Sequence, residues 1–241
     1  VVLDDMSMLA AGTSGLTMEQ RFVKRTMDIF ISLVGIIISA PIMCICAIAI
    51  KIEDGGKVFF KQNRATRDGK IFSVYKLRTM KEDVENYSSV EDDERVTKVG
   101  RILRKYRIDE FPQLINVLKS EMSIVGPRPE MLSNIFIYTE ELPEFEYRLR
   151  VKAGLTGYAQ ITGKYNTSPK DKLILDLMYI EDYSLLMDIK LIFQTLIVLL
   201  KKDSTEAFGC DKHKIEFISY SEDVDYNNQD YIQEVENNPK Q

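Results

Sequence analysis

The 241 residues contain no tryptophan, one histidine and three cysteines. The lone His213 sits in an acidic segment, which leaves no material for an imidazole-based metal site or a Ser-His-Asp triad. Cys44 and Cys46 lie inside an apolar run and Cys210 stands alone, which argues against a disulfide framework and for a reducing setting. Glycine-rich phosphate loops are missing as well. The Gly154-x-x-Gly157 spacing matches neither a Walker sequence nor a dinucleotide fingerprint. Asp223-Val224-Asp225 imitates a metal-binding Asp-x-Asp, but it stands in a stretch of low hydrophobicity and reads as solvated charge. No internal repeat is present, and only one long apolar run, which disfavours a polytopic membrane protein.

Charge is present but unevenly spread. The formal net charge is −5. Residues 203–241 carry 10 Asp/Glu against 3 Lys/Arg, which leaves residues 1–202 at a net of +2. A slightly basic body therefore precedes an acidic tail that is expected to be flexible. The apolar run Ile29–Ile50 is 22 residues without a charge, long enough for a helix to cross a bilayer core. Pro41 falls near its middle, and Lys24, Arg25 and Lys51 flank it on both sides. Proline bends a helix axis, and cations prefer the cytoplasmic face. A kinked crossing and a helix that dips in and returns both fit this pattern.

Beyond the run, Val58–Phe60 and Ile71–Leu77 read as short strands joined across a turn region from Gln62 to Gly69. Lys81–Glu94 is polar and acidic, a loop or a helix start. In the basic stretch Arg95–Tyr106, Val96, Val99, Ile102, Leu103 and Tyr106 follow helical spacing. A helix is expected from Asp109 to near Gly126, another over Ser133–Glu141, a loop-rich patch around Gly154, Gly157 and Gly163, and a helix over Leu173–Tyr183. Leu185–Leu200 is apolar but broken by Asp188, Lys190 and Gln194, which suits a helix lying on a membrane surface.

The stretch richest in chemistry is Arg107-Ile108-Asp109-Glu110-Phe111-Pro112-Gln113-Leu114. Asp109 stands at or just before a helix start, behind a dense run of Arg and Lys. A helix N-terminus favours anions, so a carboxylate held there among arginines can act as a nucleophile toward phosphorus. An ordinary N-cap followed by a solvated acid is the plainer reading of these eight residues alone. Arg64, Lys76 and Arg78 taken singly read as a solvated strand face, and Arg128 between two prolines as a cation on a rigid turn.

Six motifs nevertheless recur in one order. They are Lys24-Arg25-x-x-Asp28, Gln62-Asn63-Arg64, Tyr75-Lys76-Leu77-Arg78-Thr79-Met80, Asp109-Glu110-x-Pro112-Gln113-Leu114, Met122 through Pro129, and Gly154-Leu155-Thr156-Gly157-Tyr158-Ala159-Gln160. Over residues 22 to 203 the series resembles the bacterial sugar transferase family, the monotopic phosphoglycosyl transferases that begin polysaccharide and glycan assembly on a polyprenyl carrier. Departures lie mainly in the glycine patch, where Ala153-Gly154, Tyr158 and Lys164 replace the Pro-Gly, Trp and Arg common in the family.

The resemblance implies an α+β fold that is mostly helical, with a re-entrant membrane helix broken at Pro41, surface-lying amphipathic helices and a small β element. It implies residues 22–203 as the transferase domain, with residues 1–21 read as a linker, an upstream region ahead of them left open, and residues 204–241 as the acidic tail expected to be flexible. The implied reaction moves a sugar 1-phosphate from a UDP-sugar to polyprenyl (undecaprenyl) phosphate with Mg²⁺ and releases UMP. Asp109 is then the nucleophile, forming a covalent phospho-sugar, and Glu110 its partner; both are candidate metal ligands. Arg64, Lys76, Arg78, Arg104, Arg128 and Gln160 are the implied substrate-binding residues. The expected setting is the cytoplasmic face of the inner membrane, with membrane lipid as a partner and no nucleic acid. The sugar and the oligomeric state, a homo-oligomer included, stay open. A lipid-headgroup-binding module without catalysis is the rival reading of the basic helix.

Overall fold

The computed structural model describes residues 17–81, 93–162 and 168–200. Its dominant element is helix α1, Met18–Asp54. A capping box starts it: the Gln20 N–H donates to Thr17 Oγ1 (3.3 Å) and the Thr17 N–H to Gln20 Oε1 (2.9 Å), which satisfies two otherwise orphaned amides. Gly55 ends it in the left-handed region (φ 72°), where glycine carries no Cβ penalty. At about 1.5 Å per residue the helix is roughly 55 Å long.

Helix α1 runs through Pro41 without a break. The expected break at Pro41 is therefore not an end of the helix: losing one hydrogen bond bends the axis there while the bonds of the adjoining turns continue. Both ends of α1 are fastened to the same body. Near the start, the Lys24 ammonium meets Asp188 at 2.6 Å, and Arg25 donates to the Val117 and Leu118 carbonyls at 2.6 and 2.7 Å. Asp28 accepts from the Ser123 hydroxyl (3.0 Å) and the Ile124 N–H (2.9 Å). At the far end, Glu53 accepts from the Lys98 and Val99 amides (2.7 and 3.2 Å), and Asp54 pairs with Arg78. Between these anchors Phe30, Ile37, Ile38, Ile45 and Ile48 are exposed. An apolar surface of this length facing outward suits contact with a membrane.

Strands β1 (Phe59–Ala65) and β2 (Ile71–Leu77) form an antiparallel hairpin in which Phe59 pairs with Leu77 and Ala65 with Ile71. Gln62, Asn63 and Arg64 thus belong to β1, and the turn shrinks to Thr66–Lys70, where Asp68 and Gly69 take positive φ. Alternation buries Phe72 and Val74 on one face of β2. Helix α2 (Lys98–Lys105) packs Leu103 against Ile50 and Leu77 in a small second core.

Helix α3 is shorter than the sequence suggests, Gln113–Leu118, and β3 (Ser123–Val125) follows it. The difference has a tertiary cause. Strand β3 pairs in parallel with β4 (Gly154–Thr156), which runs through the patch read as loop. The glycines there allow close backbone approach: a Cβ on Gly154 would lie 2.1 Å from the Gly126 nitrogen. Helices α4 (Leu132–Glu141), α5 (Tyr158–Thr162), α6 (Pro169–Glu181) and α7 (Leu185–Leu200) complete the body. The main core joins Phe72, Val117, Val125, Phe145, Leu173 and Leu191. Helix α7 buries Asp188 and Leu191 but exposes Leu186, Phe193 and Ile197, a second outward apolar face that suits the surface-lying expectation. The acidic segment after Lys81 and the tail lie outside the described residues.

Candidate active site

Asp109 and Glu110 occupy the corner between α2 and α3. Arg107 takes a left-handed conformation (φ 53°, ψ 25°), and Ile108–Glu110 form one 3₁₀ turn before Pro112 opens α3. That conformation costs a non-glycine residue on the order of 1 kcal/mol, and it turns both acids inward. The placement excludes the N-cap reading. Among the described residues Asp109 accepts no hydrogen bond and forms no ion pair, although it is only 8% exposed.

Glu110 is the reverse case. Its Oε1 accepts from Arg128 at 2.7 Å and from Lys76 at 3.2 Å. Lys76 comes from β2 and Arg128 from the loop after β3, so three separated segments meet at one carboxylate. Asn116, fully buried on α3, sets the spacing between two of them. Its side chain accepts from the Tyr75 N–H (3.0 Å) and donates to the Ser73 carbonyl (2.8 Å), which ties α3 to the open edge of β2 beside Lys76.

Electrostatics separates the two acids. Burial, then the adjacent Glu110 charge, pushes the Asp109 carboxyl up to about 6, against the pull of Lys76, Arg104 and Arg128. Burial also pushes Glu110 up, but Arg128 and Lys76 outweigh it and hold Glu110 well below the usual carboxylate range. The Arg128 guanidinium is in turn held more firmly protonated, chiefly by Glu110. One acid is thus locked to cations, and its neighbour is an under-compensated carboxylate with accessible chemistry. Two adjacent carboxylates, one without a cation of its own, match the oxygen donor set of Mg²⁺, which takes one or two carboxylates and completes its shell with water and phosphate oxygens.

The remaining candidates divide. Arg104 adds its charge to the Asp109 side and donates Nε to the Thr79 hydroxyl at 2.8 Å. Arg64 buttresses the loop: it donates to the Pro129 carbonyl (3.2 Å), and burial, then Arg128, lowers its pKa to about 10. Arg78 is tied to Asp54 and lies against Gly56, linking β2 to the end of α1. Gln160 rests its amide against Gly157, with both polar atoms buried and without a hydrogen-bond partner among the described residues. Pro41 lies inside α1. Sequence reasoning missed Asn116 and a buried network of Glu130, Arg148, Lys172 and Asp176. Nothing local distinguishes these from surface polar residues; burial alone reveals them.

Residues 19–202 match the family model described as bacterial sugar transferase. The chain is 38% identical over 185 residues to the UDP-N-acetylgalactosamine-undecaprenyl-phosphate N-acetylgalactosaminephosphotransferase of Aeromonas hydrophila, covering 74% of this chain but 44% of that protein. It is 38% identical over 189 residues to the UDP-glucose:undecaprenyl-phosphate glucose-1-phosphate transferase of Caulobacter vibrioides, covering 75% and 71%. The exopolysaccharide production protein PSS of Rhizobium leguminosarum bv. phaseoli is 37% identical over 187 residues, covering 73% and 94%. The chain thus spans less than half of the Aeromonas relative and almost all of the Rhizobium one. A match of that extent leaves one assignment: the chain belongs to the bacterial sugar transferase family.

Proposed function

We propose that this chain transfers a sugar 1-phosphate from a UDP-sugar to undecaprenyl phosphate at the cytoplasmic face of the inner membrane, through a phospho-sugar carried on Asp109. The observation that carries the reading is the asymmetry of the pair: Glu110 bound by Lys76 and Arg128, Asp109 buried and unpaired. A carboxylate that gives up no lone pair to a neighbour keeps its nucleophilicity. Its oxygen attacks the phosphorus bearing the sugar, the bond from that phosphorus to the bridging oxygen breaks, and the electron pair leaves on that oxygen as part of UMP. An oxygen of the lipid phosphate then attacks the same phosphorus and releases the Asp109 carboxylate unchanged.

Arg128, Lys76 and Arg104 gather positive charge where an anion must approach another anion. Mg²⁺ held by Asp109 and Glu110 would supply further neutralisation of the diphosphate. Helix α1 supports the lipid side of the reading. An outward apolar helix with both ends on one body is what a re-entrant segment requires, and it brings the acceptor's leaflet to the site. A headgroup-binding module without catalysis has no use for a buried carboxylate that lacks an ion-pair partner, which favours the transferase reading over it.

Incubation with a UDP-sugar alone tests the proposal. Intact mass should rise by one sugar phosphate as UMP appears, and Asp109→Asn should show neither. Sequential kinetics without an adduct would mean direct attack by the lipid phosphate.

A further inference from the structure

The loop that delivers Arg128 has almost no means of holding itself. Pro127 and Pro129 lack N–H donors, and the loop is fixed instead through its carbonyls. Gly154 N–H donates to the Pro127 carbonyl (2.8 Å), Arg148 Nη2 to the Arg128 carbonyl (2.9 Å), and Arg64 Nη1 to the Pro129 carbonyl (3.2 Å). Three consecutive carbonyls are thus gripped from β4, from the Pro143–Arg150 turn and from β1.

Arg148 is the unusual member. It is 2% exposed, and its guanidinium is shared between two acceptors, Asp176 and the Arg128 carbonyl, with Glu130 nearby. Nε and Nη2 reach Asp176 Oδ2 at 3.0 and 2.7 Å, Nη1 lies 3.7 Å from Glu130, and the Phe145 ring sits 4.8 Å from its central carbon. Asp176 is itself 1% exposed on α6, and Lys172 from the same helix meets Glu130 at 2.6 Å. Buried ion pairs of this kind add little net stability over an apolar replacement of the same shape. What the fork provides is geometry. A planar guanidinium can hold a carboxylate and a carbonyl at fixed angles together, which a lysine cannot.

We propose that Arg148 is a positioning residue that fixes the Arg128 backbone, so that the Arg128 guanidinium stays on Glu110. Arg148 does not itself touch the acid pair; it acts through the loop. The inference rests on the reading of Asp109 and Glu110 as the reacting pair.

The test uses Arg148→Lys, Asp176→Asn, Arg128→Ala and the double variants in the full chain. Three quantities are read: kcat and KM for UMP release with UDP-sugar and polyprenyl phosphate, thermal midpoint, and amide exchange at Glu130 and Met131. Arg148→Lys should lose about tenfold in kcat, the scale of one positioning hydrogen bond, with KM little changed, a lower thermal midpoint from the disturbed buried pair and faster exchange at Glu130 and Met131. In the Arg128→Ala background the same substitution should cost nothing further in kcat, because residues that act in one chain of contacts are non-additive. Asp176→Asn keeps the guanidinium but loosens its seat, and should repeat the pattern if the lysine variant folds poorly. Losses that add fully in the double variants, or exchange unchanged in both single ones, would overturn the proposal. If wild type releases no UMP, the transferase reading fails, while the exchange data still decide whether Arg148 holds the loop.

Discussion

Asp109 carries a charge that its surroundings do little to offset, and that charge acts on stability as well as on chemistry. Its carboxyl is pushed up to about 6 by burial and by Glu110, against an ordinary value near 3.9. A raised carboxyl binds its proton more tightly when folded than unfolded. Its contribution is therefore fully present below about pH 4 and is lost as pH rises through about 6. At neutral pH the folded protein bears a penalty of up to about 3 kcal/mol for keeping Asp109 ionised. Asp109→Asn should then raise the thermal midpoint at pH 7.5 in chelator, and the gain should fade as pH drops from 6 toward 4. Thermal melts of both proteins across that range check it, and equal midpoints at pH 7.5 would show Asp109 to be better compensated than its contacts indicate. Glu110 is the contrasting case, since Arg128 and Lys76 keep it ionised throughout.

Helix α1 is built as two anchored ends and an apolar middle. Lys24, Arg25 and Asp28 fix one end to α7, α3 and β3, and Glu53 and Asp54 fix the other to α2 and Arg78. Gly35 lets the helix approach Leu114 closely, since a Cβ there would lie 3.0 Å from a Leu114 methyl. Leu114 and the Val117 carbonyl both belong to α3, so the membrane helix grips the segment that directly follows Asp109 and Glu110. A straight crossing of the bilayer would pull one set of anchors away from the body. Single cysteines placed beside Lys24 and Lys51 in a background without Cys44, Cys46 and Cys210 should therefore label from the same face of the membrane. Labelling from opposite faces would rule out the re-entrant path.

At the scale of the whole molecule, two apolar faces, on α1 and α7, look outward while the acids and their cations are gathered inside the body. This division suits the proposed reaction, in which an anionic lipid acceptor would arrive through the apolar side and an anionic nucleotide donor through the aqueous one. The shared difficulty is negative charge. Among the described residues Lys76 and Arg128 are paired with Glu110, which leaves little of their charge for a diphosphate, so the proposed reaction calls for further neutralisation. Turnover should accordingly disappear in excess chelator and return with Mg²⁺, followed as UMP release. Full turnover in chelator would mean that the arginines and Lys76 suffice.

The sequence by itself determined what depends on covalent neighbours and on period. Asp109 and Glu110 are adjacent, Ile29–Ile50 is uncharged, Phe72 and Val74 alternate on one strand face, and the order of six short motifs carries the family. Partnership across distance was decided by the tertiary structure. Lys76 and Arg128, 34 and 18 residues from Glu110, choose it over Asp109, while Arg78, two positions beyond Lys76, turns to α1. Strand β3 had no legible signal, because three residues hold no period and acquire their hydrogen bonds only when β4 arrives beside them. Arg148 looked like any surface arginine until α6 and the Pro127–Glu130 loop closed around it. A buried charge is defined by what surrounds it, and those surroundings come from parts of the chain that no local pattern connects.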